Sequence, residues 1–395
     1  MLMVEPSLSE PYDIVVIGAG PAGSSAARAA AQRGARVLLI DRRQRIGVPV
    51  QCAEFVSRWV FRHASFSSPC ILQRVEKMVT HLPDRSTYEM KSPGYMLDRS
   101  LFDKELAGSA VLSGARISIG TKAIGLSPEG LAVERGSKKE TISSKVFIGA
   151  DGASSSVARF LGQSPLMTIA ALQYEVVISR PRNHTDVYFH KDYEGGYAWL
   201  FPKGRTANAG VGILTSKAVQ LSNLLGKFLD SLMESETLRE IQVVSKTGGF
   251  IPCEPRQKIV LENILFVGDA AGHAHPITGA GILNAVIGGE IAGRIAAEAI
   301  ERGNLRYLEK FEMEWREIFG KSLSYGGLKR EFLEKNWNRS EVVFEELIRK
   351  TWVGFREYYR GRREIPSHPP KPRNNLESQS GKDFPKRKEN HGTKS

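Results

Sequence analysis

"YDIVVIGAGPAGSSAARAAAQRGARVLLIDRR", Tyr12 to Arg43, decides how the rest of the chain is read. The run Asp13–Ile17 has the continuous hydrophobicity of a strand buried on both faces of a parallel sheet. An Ala-rich stretch, residues 22–33, follows as a helix, and Arg36–Ile40 returns as a second strand ending on Asp41. Gly18, Gly20 and Gly23 stand at the strand-to-helix turn as G-x-G-x-x-G. Gly18 permits the tight turn, Gly20 lets a pyrophosphate approach the backbone, and Gly23 lets the helix pack on the sheet. The helix N-terminus then faces the negative charge. Asp41 stands where a carboxylate accepts hydrogen bonds from an adenosine ribose, and an acid there disfavours a 2′-phosphate. Taken in this order, the elements specify a dinucleotide site whose resident ligand is not NADP.

The chain has 395 residues, 41% hydrophobic and 25% charged, which suits one large α/β domain or two intimately joined ones. Its net charge of +12 is unevenly spread: Pro366–Ser395 carries seven Lys/Arg against three Asp/Glu, with repeated Pro, Asn, Ser and Gly. That is the composition of a disordered tail. Without the four-charge excess of the tail the chain keeps +8, either an ordinary solvated basic surface or one that attracts phosphate head groups or an anionic cofactor. Cys52, Cys70 and Cys253 form no C-x-x-C pair, so no metal site, iron–sulfur cluster or disulfide framework is expected. The N-terminus reads as neither signal peptide nor membrane span. The expected location is cytoplasmic, with any membrane contact peripheral on its inner face and no nucleic-acid partner.

Two later stretches narrow the dinucleotide. "VFIGADGASSSVAR", Val146–Arg159, is a strand ending in Asp151-Gly152. "NILFVGDAAGHAHPITGAGILNAVIGGEIAG", Asn263–Gly293, is a strand ending in Gly268-Asp269, then a Gly-broken loop and an Ala/Gly-rich helix. With the first motif these resemble the nucleotide, Asp-Gly and Gly-Asp motifs of flavoproteins with the para-hydroxybenzoate hydroxylase type of FAD domain. The resemblance implies FAD, with Asp269 on its ribityl/pyrophosphate part. It also implies that Gly279-Ala280-Gly281 aims a helix N-terminus at the flavin N1–C2 edge, where negative charge develops on reduction. "YMLDRSLFDKELAGSA", Tyr95–Ala110, resembles the segment in which an arginine, here Arg99, lies against FAD. By spacing alone Arg99 and Asp103 form an i,i+4 surface pair, and Asp151-Gly152 a strand-end turn.

Between these motifs, "ALQYEVVIS", "DVYFH", "GYAWLFPK" and "TANAGVGIL" alternate as antiparallel strands do. Tyr197, Trp199 and Phe201 fall on one strand face, toward either a helix on that sheet or the cavity between the domains. Tyr197-Ala-Trp199-Leu-Phe201-Pro202-Lys203, followed by Gly210-Val-Gly212, is similar to the signature of the geranylgeranyl reductase family. Its members bind FAD and saturate double bonds of isoprenoid chains, so the aromatic face is expected to be covered by an isoprenoid lipid or prenyl diphosphate. Pro49-Val-Gln-Cys52 resembles a Pro-x-x-Cys-Gly segment that archaeal members carry near the isoalloxazine. Ala53 replaces the glycine, so the resemblance does not set this loop's backbone shape. Cys52 is thus either a buried inert thiol or a proton source. A tyrosine, or water held near His273 or His275, could fill the same role.

The expected architecture is an α/β fold: a Rossmann-type FAD-binding domain, an inserted antiparallel-sheet substrate domain and a C-terminal helical segment. The FAD part is read as 1–60, 95–165 and 255–300, the substrate part as 61–94 and 166–254, the helices as 301–365 and the basic tail as 366–395. On the helices, Val342, Val343, Leu347, Ile348 and Phe355 form one candidate buried stripe, and Arg349 and its neighbours a cationic face. The expected activity is reduction of isoprenoid double bonds, with catalytic candidates Cys52, Tyr197 and Trp199, substrate contacts from the three aromatics, and NAD(P)H or ferredoxin as electron donor. Rival readings are a flavin monooxygenase or halogenase on the same fold, an electron-carrying dehydrogenase, which three scattered cysteines disfavour, and a non-catalytic FAD-binding protein associated with membrane or nucleic acid.

Overall fold

The computed structural model describes residues 6–360; the basic tail and its expected disorder lie outside the described residues. The first sheet is made of strands that the sequence buries on both faces. Every residue of β1 (Tyr12–Ile17) and β2 (Val37–Ile40) is buried, as unbroken apolar runs require. With β6 (Arg116–Ser118), β10 (Ser144–Gly149), β16 (Val260–Leu261) and β17 (Ile264–Phe266) they take the order β16-β17-β10-β1-β2-β6. All pairs are parallel except β16–β17. The carboxyl ends of β1, β2, β10 and β17 therefore open on one edge, where ligands of such sheets bind.

Helix α1 (Pro21–Ala31) follows β1, and α5 (Ile282–Glu301) lies across it. A Cβ on Gly289 would stand 2.2 Å from the Ala22 carbonyl oxygen, and one on Gly293 2.0 Å from that of Ala26. The two helices touch backbone to backbone, which explains their Ala/Gly composition. Helices α2 (Arg99–Leu112) and α3 (Ser156–Phe160) complete this half. An antiparallel sheet of β7 (Thr121–Ser127), β8 (Gly130–Arg135) and β9 (Lys138–Ile142) adds Leu131, Val133 and Ile142 to its core.

The second sheet has eight strands: β3 (Phe55–Ser57), β4 (Ile71–His81), β5 (Thr87–Leu97), β11 (Thr168–Val177), β12 (His184–Tyr188), β13 (Tyr197–Lys203), β14 (Thr206–Leu214) and β15 (Val243–Pro252). Their order is β15-β11-β14-β13-β12-β4-β5-β3. One junction differs from the antiparallel expectation: β12 runs parallel to β4, pairing His184–Tyr188 with Lys77–His81. The chain leaves this sheet after β5, adds β6 and β10 to the first sheet, and re-enters at β11 near the far edge, so that seam joins strands about 100 residues apart. Segment 55–60, read with the FAD part, sends Phe55–Ser57 to the edge of this second sheet.

Strand β13 obeys the period of two. Ala198 and Leu200 pack beneath helix α4 (Leu221–Glu234), against Leu224, Leu225 and Phe228. Tyr197, Trp199 and Phe201 point the other way. The C-terminal segment comprises α6 (Glu309–Trp315) and a π-helical turn (Arg316–Gly320), which pack on the first core, then α7 (Lys321–Asn336) and α8 (Phe344–Thr351), which Tyr197 and Phe201 meet. The expected stripe is corrected at one position. Leu347, Ile348 and Phe355 are buried, but Val343 is 57% exposed, because α8 begins one residue later and Phe344 takes the inward place. Arg349, read as part of that cationic face, lies over the Tyr88 ring at 4.3 Å.

Candidate active site

The first glycine turn is explained by what a side chain would strike. Gly18 has φ +105, and a Cβ there would stand 2.4 Å from the Ala150 carbonyl oxygen; one on Gly23 would stand 1.9 Å from the carbonyl oxygen of Gly18. Gly20 differs: nothing lies within 4 Å of its missing Cβ. It is the N-cap of α1 and no side chain caps that helix, so the first amides of α1 face open space. Asp41 closes the turn from β2, accepting the Ala19 and Arg43 N–H groups at 2.8 Å each. Asp151 is turned to local use. Its carboxylate accepts from Ser155 Oγ and the Ser156 amide, both at 2.6 Å, and so caps α3.

The second turn runs from β17 into α5. Within it His273 is wholly buried, stacks on Trp315 with ring centroids 4.5 Å apart, and accepts the Gly268 N–H on Nδ1 at 3.2 Å. Burial pulls its pKa down to about 3, so the ring is neutral with its proton on Nε2. His275 Nδ1 accepts the Ile277 and Thr278 amides at 3.3 and 3.4 Å, and the His275 backbone N–H donates to Ala280 O at 2.9 Å. Both histidines thus shape the loop. Gly279 has φ +66, which only glycine adopts freely. Gly281 is the N-cap of α5, again without a side-chain cap. Asp269 Oδ1 would be 3.5 Å from a Cβ on Gly281. Burial raises the Asp269 pKa to about 6, with Arg99 acting in the opposite sense.

Arg99 sits at the meeting point of the predicted residues. It grips Asp103 with Nε and Nη2 at 2.8 and 2.9 Å, so the i,i+4 pair exists, but both side chains are largely buried. The Cys52 thiol lies beside the same guanidinium; burial raises its pKa and Arg99 opposes the rise. Cys52 keeps part of its surface accessible, whereas Cys70 and Cys253 are buried. The backbone shape left open by Ala53 is resolved one residue on, at Glu54, with φ +70.

The aromatic strand forms one wall of a small, partly open apolar cavity. Tyr197, Trp199, Ile169 and Ile251 face Pro276, Ile277 and Gly279 of the second turn across it. Tyr197 donates its hydroxyl to Thr278 O at 2.6 Å. Trp199 donates Nε1–H to Gln173 Oε1 at 2.9 Å, and its indole lies flat on Gly210 and Gly212 of the next strand. A Cβ on Gly210 would stand 2.3 Å from Trp199 Cζ2. The glycines of Gly210-Val-Gly212 therefore make room for the indole. Phe201 is not part of this wall; it sits edge-on to Phe55, centroids 6.2 Å apart. Cys52 does not line the cavity either, but Gln173 joins the two regions, donating to Cys52 O at 3.1 Å.

Sequence reasoning missed Glu54, Gln173, Asn208 and Arg330. Gln173 and Asn208 carried a signal, each a polar residue at a buried position in an otherwise apolar alternation. Arg330 carried none. It enters from α7, nearly buried, and donates to Pro276 O at 3.0 Å and to Gly195 O, tying the second turn to the start of β13.

Fold and cleft together define a flavin-dependent oxidoreductase of the two-sheet type, with a dinucleotide turn on one sheet and an apolar wall on the other. Residues 13–155 match the FAD dependent oxidoreductase family and residues 168–251 the geranylgeranyl reductase catalytic domain. A digeranylgeranylglycerophospholipid reductase of Methanococcoides burtonii is 36% identical over 343 residues, 80% of this chain and 83% of that protein. The digeranylgeranylglycerophospholipid reductase of Methanocaldococcus jannaschii is 35% identical over 356 residues, 83% of this chain and 88% of its own. A geranylgeranyl bacteriochlorophyll reductase-like protein of Thermoplasma acidophilum has the same fold, with TM-score 0.78 and 28% identity over 87% of this chain and 97% of that one. A flavin-dependent halogenase superposes with TM-score 0.67 at 16% identity, over 87% of this chain and 68% of its own, a likeness of fold alone. The chain belongs to the geranylgeranyl reductase family, and its cofactor is FAD.

The residues present fit that cofactor. The space at Gly20 is open, two helix N-termini lack side-chain caps, and no hydrogen bond from a described residue reaches the Asp269 carboxylate.

Proposed function

We propose that this protein is an FAD-dependent reductase that saturates carbon–carbon double bonds of geranylgeranyl chains on glycerophospholipids or prenyl diphosphates. The observation that carries the reading is the apolar cavity between the aromatic strand and the second glycine turn, in a chain whose relatives include digeranylgeranylglycerophospholipid reductases. A long uncharged hydrocarbon is the ligand such a wall suits.

In this reading Gly18, Gly20 and Gly23 admit the pyrophosphate to the head of α1, and Asp41 takes the ribose. Arg99 and Asp269 hold the ribityl and pyrophosphate part, and Asp151 fixes the turn after β10. Gly279, Ala280 and Gly281 present the head of α5 to the flavin N1–C2 edge. When bound and reduced, FAD supplies the hydride equivalent. An isolated trisubstituted alkene is not electrophilic, so a proton must reach its less substituted carbon, leaving cationic character on the other. We assign that proton to Cys52 Sγ, which stands outside the cavity and is joined to its wall through Gln173, hydrogen-bonded to both Cys52 O and Trp199 Nε1. Its raised pKa keeps the thiol protonated at neutral pH, and Arg99 stabilises the thiolate left when the S–H bond breaks. Solvent returns the proton afterwards.

Trp199 and Tyr197 face the electron-deficient carbon with their rings, and the apolar wall keeps water from capturing it. Tyr197 is a weaker proton donor, because its hydroxyl is already given to Thr278 O. Electrons arrive from NAD(P)H at a transient site or from ferredoxin. Membrane contact is peripheral in this reading; no described helix is long and apolar enough to cross a membrane. The FAD part is taken as 1–60, 95–165 and 255–300, and the substrate part as 61–94 and 166–254, with Phe55–Ser57 and Tyr95–Leu97 lent to the sheet of the substrate part.

The test is anaerobic. The purified yellow protein is reduced with dithionite, a digeranylgeranyl glycerophospholipid is added, and flavin absorbance and product mass are followed. Flavin reoxidation with two hydrogens gained per double bond is expected. A flavin that stays reduced until oxygen enters would sink the proposal and favour the monooxygenase or halogenase alternative.

A further inference from the structure

The loop that carries Cys52 is held by one side chain that no catalytic reading requires. Glu54 is 3% exposed and is one of four non-glycine residues with positive φ among those described, at +70. Its backbone N–H donates to Cys52 Sγ at 3.2 Å. Its carboxylate accepts the Arg99 N–H on Oε1 at 3.0 Å, and on Oε2 it accepts Asn208 Nδ2 at 2.9 Å and Lys203 Nζ at 2.7 Å. Its carbonyl accepts the Leu97 N–H at 2.9 Å. One residue therefore ties together the thiol, the first residue of α2 and the two central strands β13 and β14.

Lys203 closes the arrangement. It ends the aromatic strand, is 12% exposed, and reaches Glu175 Oε2 at 3.0 Å as well as Glu54. Burial works against its charge, but the two carboxylates outweigh that and raise its pKa. A carboxylate this buried costs free energy unless cation and hydrogen bonds satisfy it. A neutral side chain would fill the space without that cost.

We propose that Glu54 is a positioning residue of the reduction, holding the Cys52 thiol against Arg99 through a buried Lys203–Glu54–Asn208 link to the aromatic strand. This rests on the assignment of Cys52 as proton donor. Freed of its anchor, the loop loses the φ +70 turn that brings the Glu54 amide onto Sγ. A proton donor displaced by about 1 Å reduces turnover on the order of 10²-fold.

Glu54→Ala, Glu54→Gln and Lys203→Met are compared with Cys52→Ala and with the double variant Cys52→Ala/Glu54→Ala, all as FAD-loaded full-length protein. The readouts are single-turnover rate, KM and the rate of Cys52 alkylation by iodoacetamide, with peptide mapping to separate Cys52 from the two buried cysteines. Glu54→Ala is expected to lower kcat 10- to 100-fold with little change in KM and to speed Cys52 alkylation several-fold. In the Cys52→Ala background the same substitution should change the rate less than twofold, since residues acting through one another are not additive. Glu54→Gln, which keeps one acceptor oxygen and so serves either the Arg99 N–H or Asn208 Nδ2 but not both, should fall between, and Lys203→Met should resemble it.

Wild-type alkylation and turnover in Glu54→Ala overturn the proposal, as does an equal loss of rate with and without Cys52. If Glu54→Ala does not fold, unchanged alkylation in both Glu54→Gln and Lys203→Met overturns it instead. If Cys52→Ala alone turns over normally, the proton-donor assignment has failed, and alkylation still decides whether Glu54 holds the thiol.

Discussion

Replacing Gly210 by alanine adds one methyl group directly behind the Trp199 indole of the substrate wall. That methyl would stand 2.3 Å from Cζ2 and 2.5 Å from Cε2 of Trp199, and 3.0 Å from the Leu172 carbonyl oxygen. Backbone on one side and indole on the other leave the indole as the part that moves. Return to an ordinary contact near 3.4 Å needs a retreat of about 1 Å. Such a shift breaks the 2.9 Å bond from Trp199 Nε1 to Gln173. Overpacking and a lost buried hydrogen bond together amount to about 2–3 kcal/mol, or roughly 2–4 °C in Tm for a chain of this size. Single-turnover flavin reoxidation should slow on the order of 10- to 100-fold, and Trp fluorescence should shift. Trp199→Phe removes the clashing ring, so the double variant Gly210→Ala/Trp199→Phe should be more stable than the sum of the single changes predicts. If Gly210→Ala keeps wild-type Tm, fluorescence and rate, the indole does not lie on this glycine and the reasoning is refuted.

Gly20→Val fills the open space before α1 without straining the backbone, since Gly20 has φ −76 and ψ −176; the apoprotein should fold with nearly unchanged Tm while FAD content after purification drops at least about tenfold. Full flavin stoichiometry would contradict the assigned pyrophosphate path. Cys52→Ala should reduce single-turnover rate on the order of 10²-fold while leaving the flavin spectrum intact, with Cys52→Ser no better than a partial substitute. For Asp269 the folded pKa of about 6 exceeds the unfolded 3.8, so its contribution to stability is greatest below pH 4 and is lost as pH rises through 6. Against Asp269→Asn, the wild-type apoprotein should therefore lose up to about 3 kcal/mol between pH 4 and 7, measured by urea unfolding; parallel pH profiles would refute the buried carboxylate.

The parts legible in the sequence were those whose constraint is local. Gly18 and Gly23 answer to atoms within a few residues of the same turn or to the adjoining strand, so the motif spells the geometry. Ala198 and Leu200 alternate with Tyr197, Trp199 and Phe201 because a strand has two faces. What covers each face is a long-range fact. The expectation that substrate covers the whole aromatic row does not extend to Phe201, which lies outside the cavity and packs with the C-terminal segment; Tyr197 is shared, lining the cavity while meeting Trp352 with centroids 5.1 Å apart. The parallel β4–β12 seam and the reach of Arg330 each join residues far apart in the chain. Glu54 was hidden for another reason. An acid beside a cysteine reads as solvent-exposed loop until Lys203 and Asn208 are brought to it.

The backbone contact between α1 and α5 also dictates an order of assembly during synthesis. The turn at Gly18–Gly23 leaves the ribosome early, yet the helix that presses on it carries Gly289 and Gly293, and β17, which pairs with β10, begins at Ile264. Nascent chains ending near residue 250 hold the complete nucleotide motif and the aromatic strand, but lack the helix and strand that close around them. FAD capture is therefore a late event in translation, and until then an Ala-lined groove along α1 stays uncovered and open to chaperones.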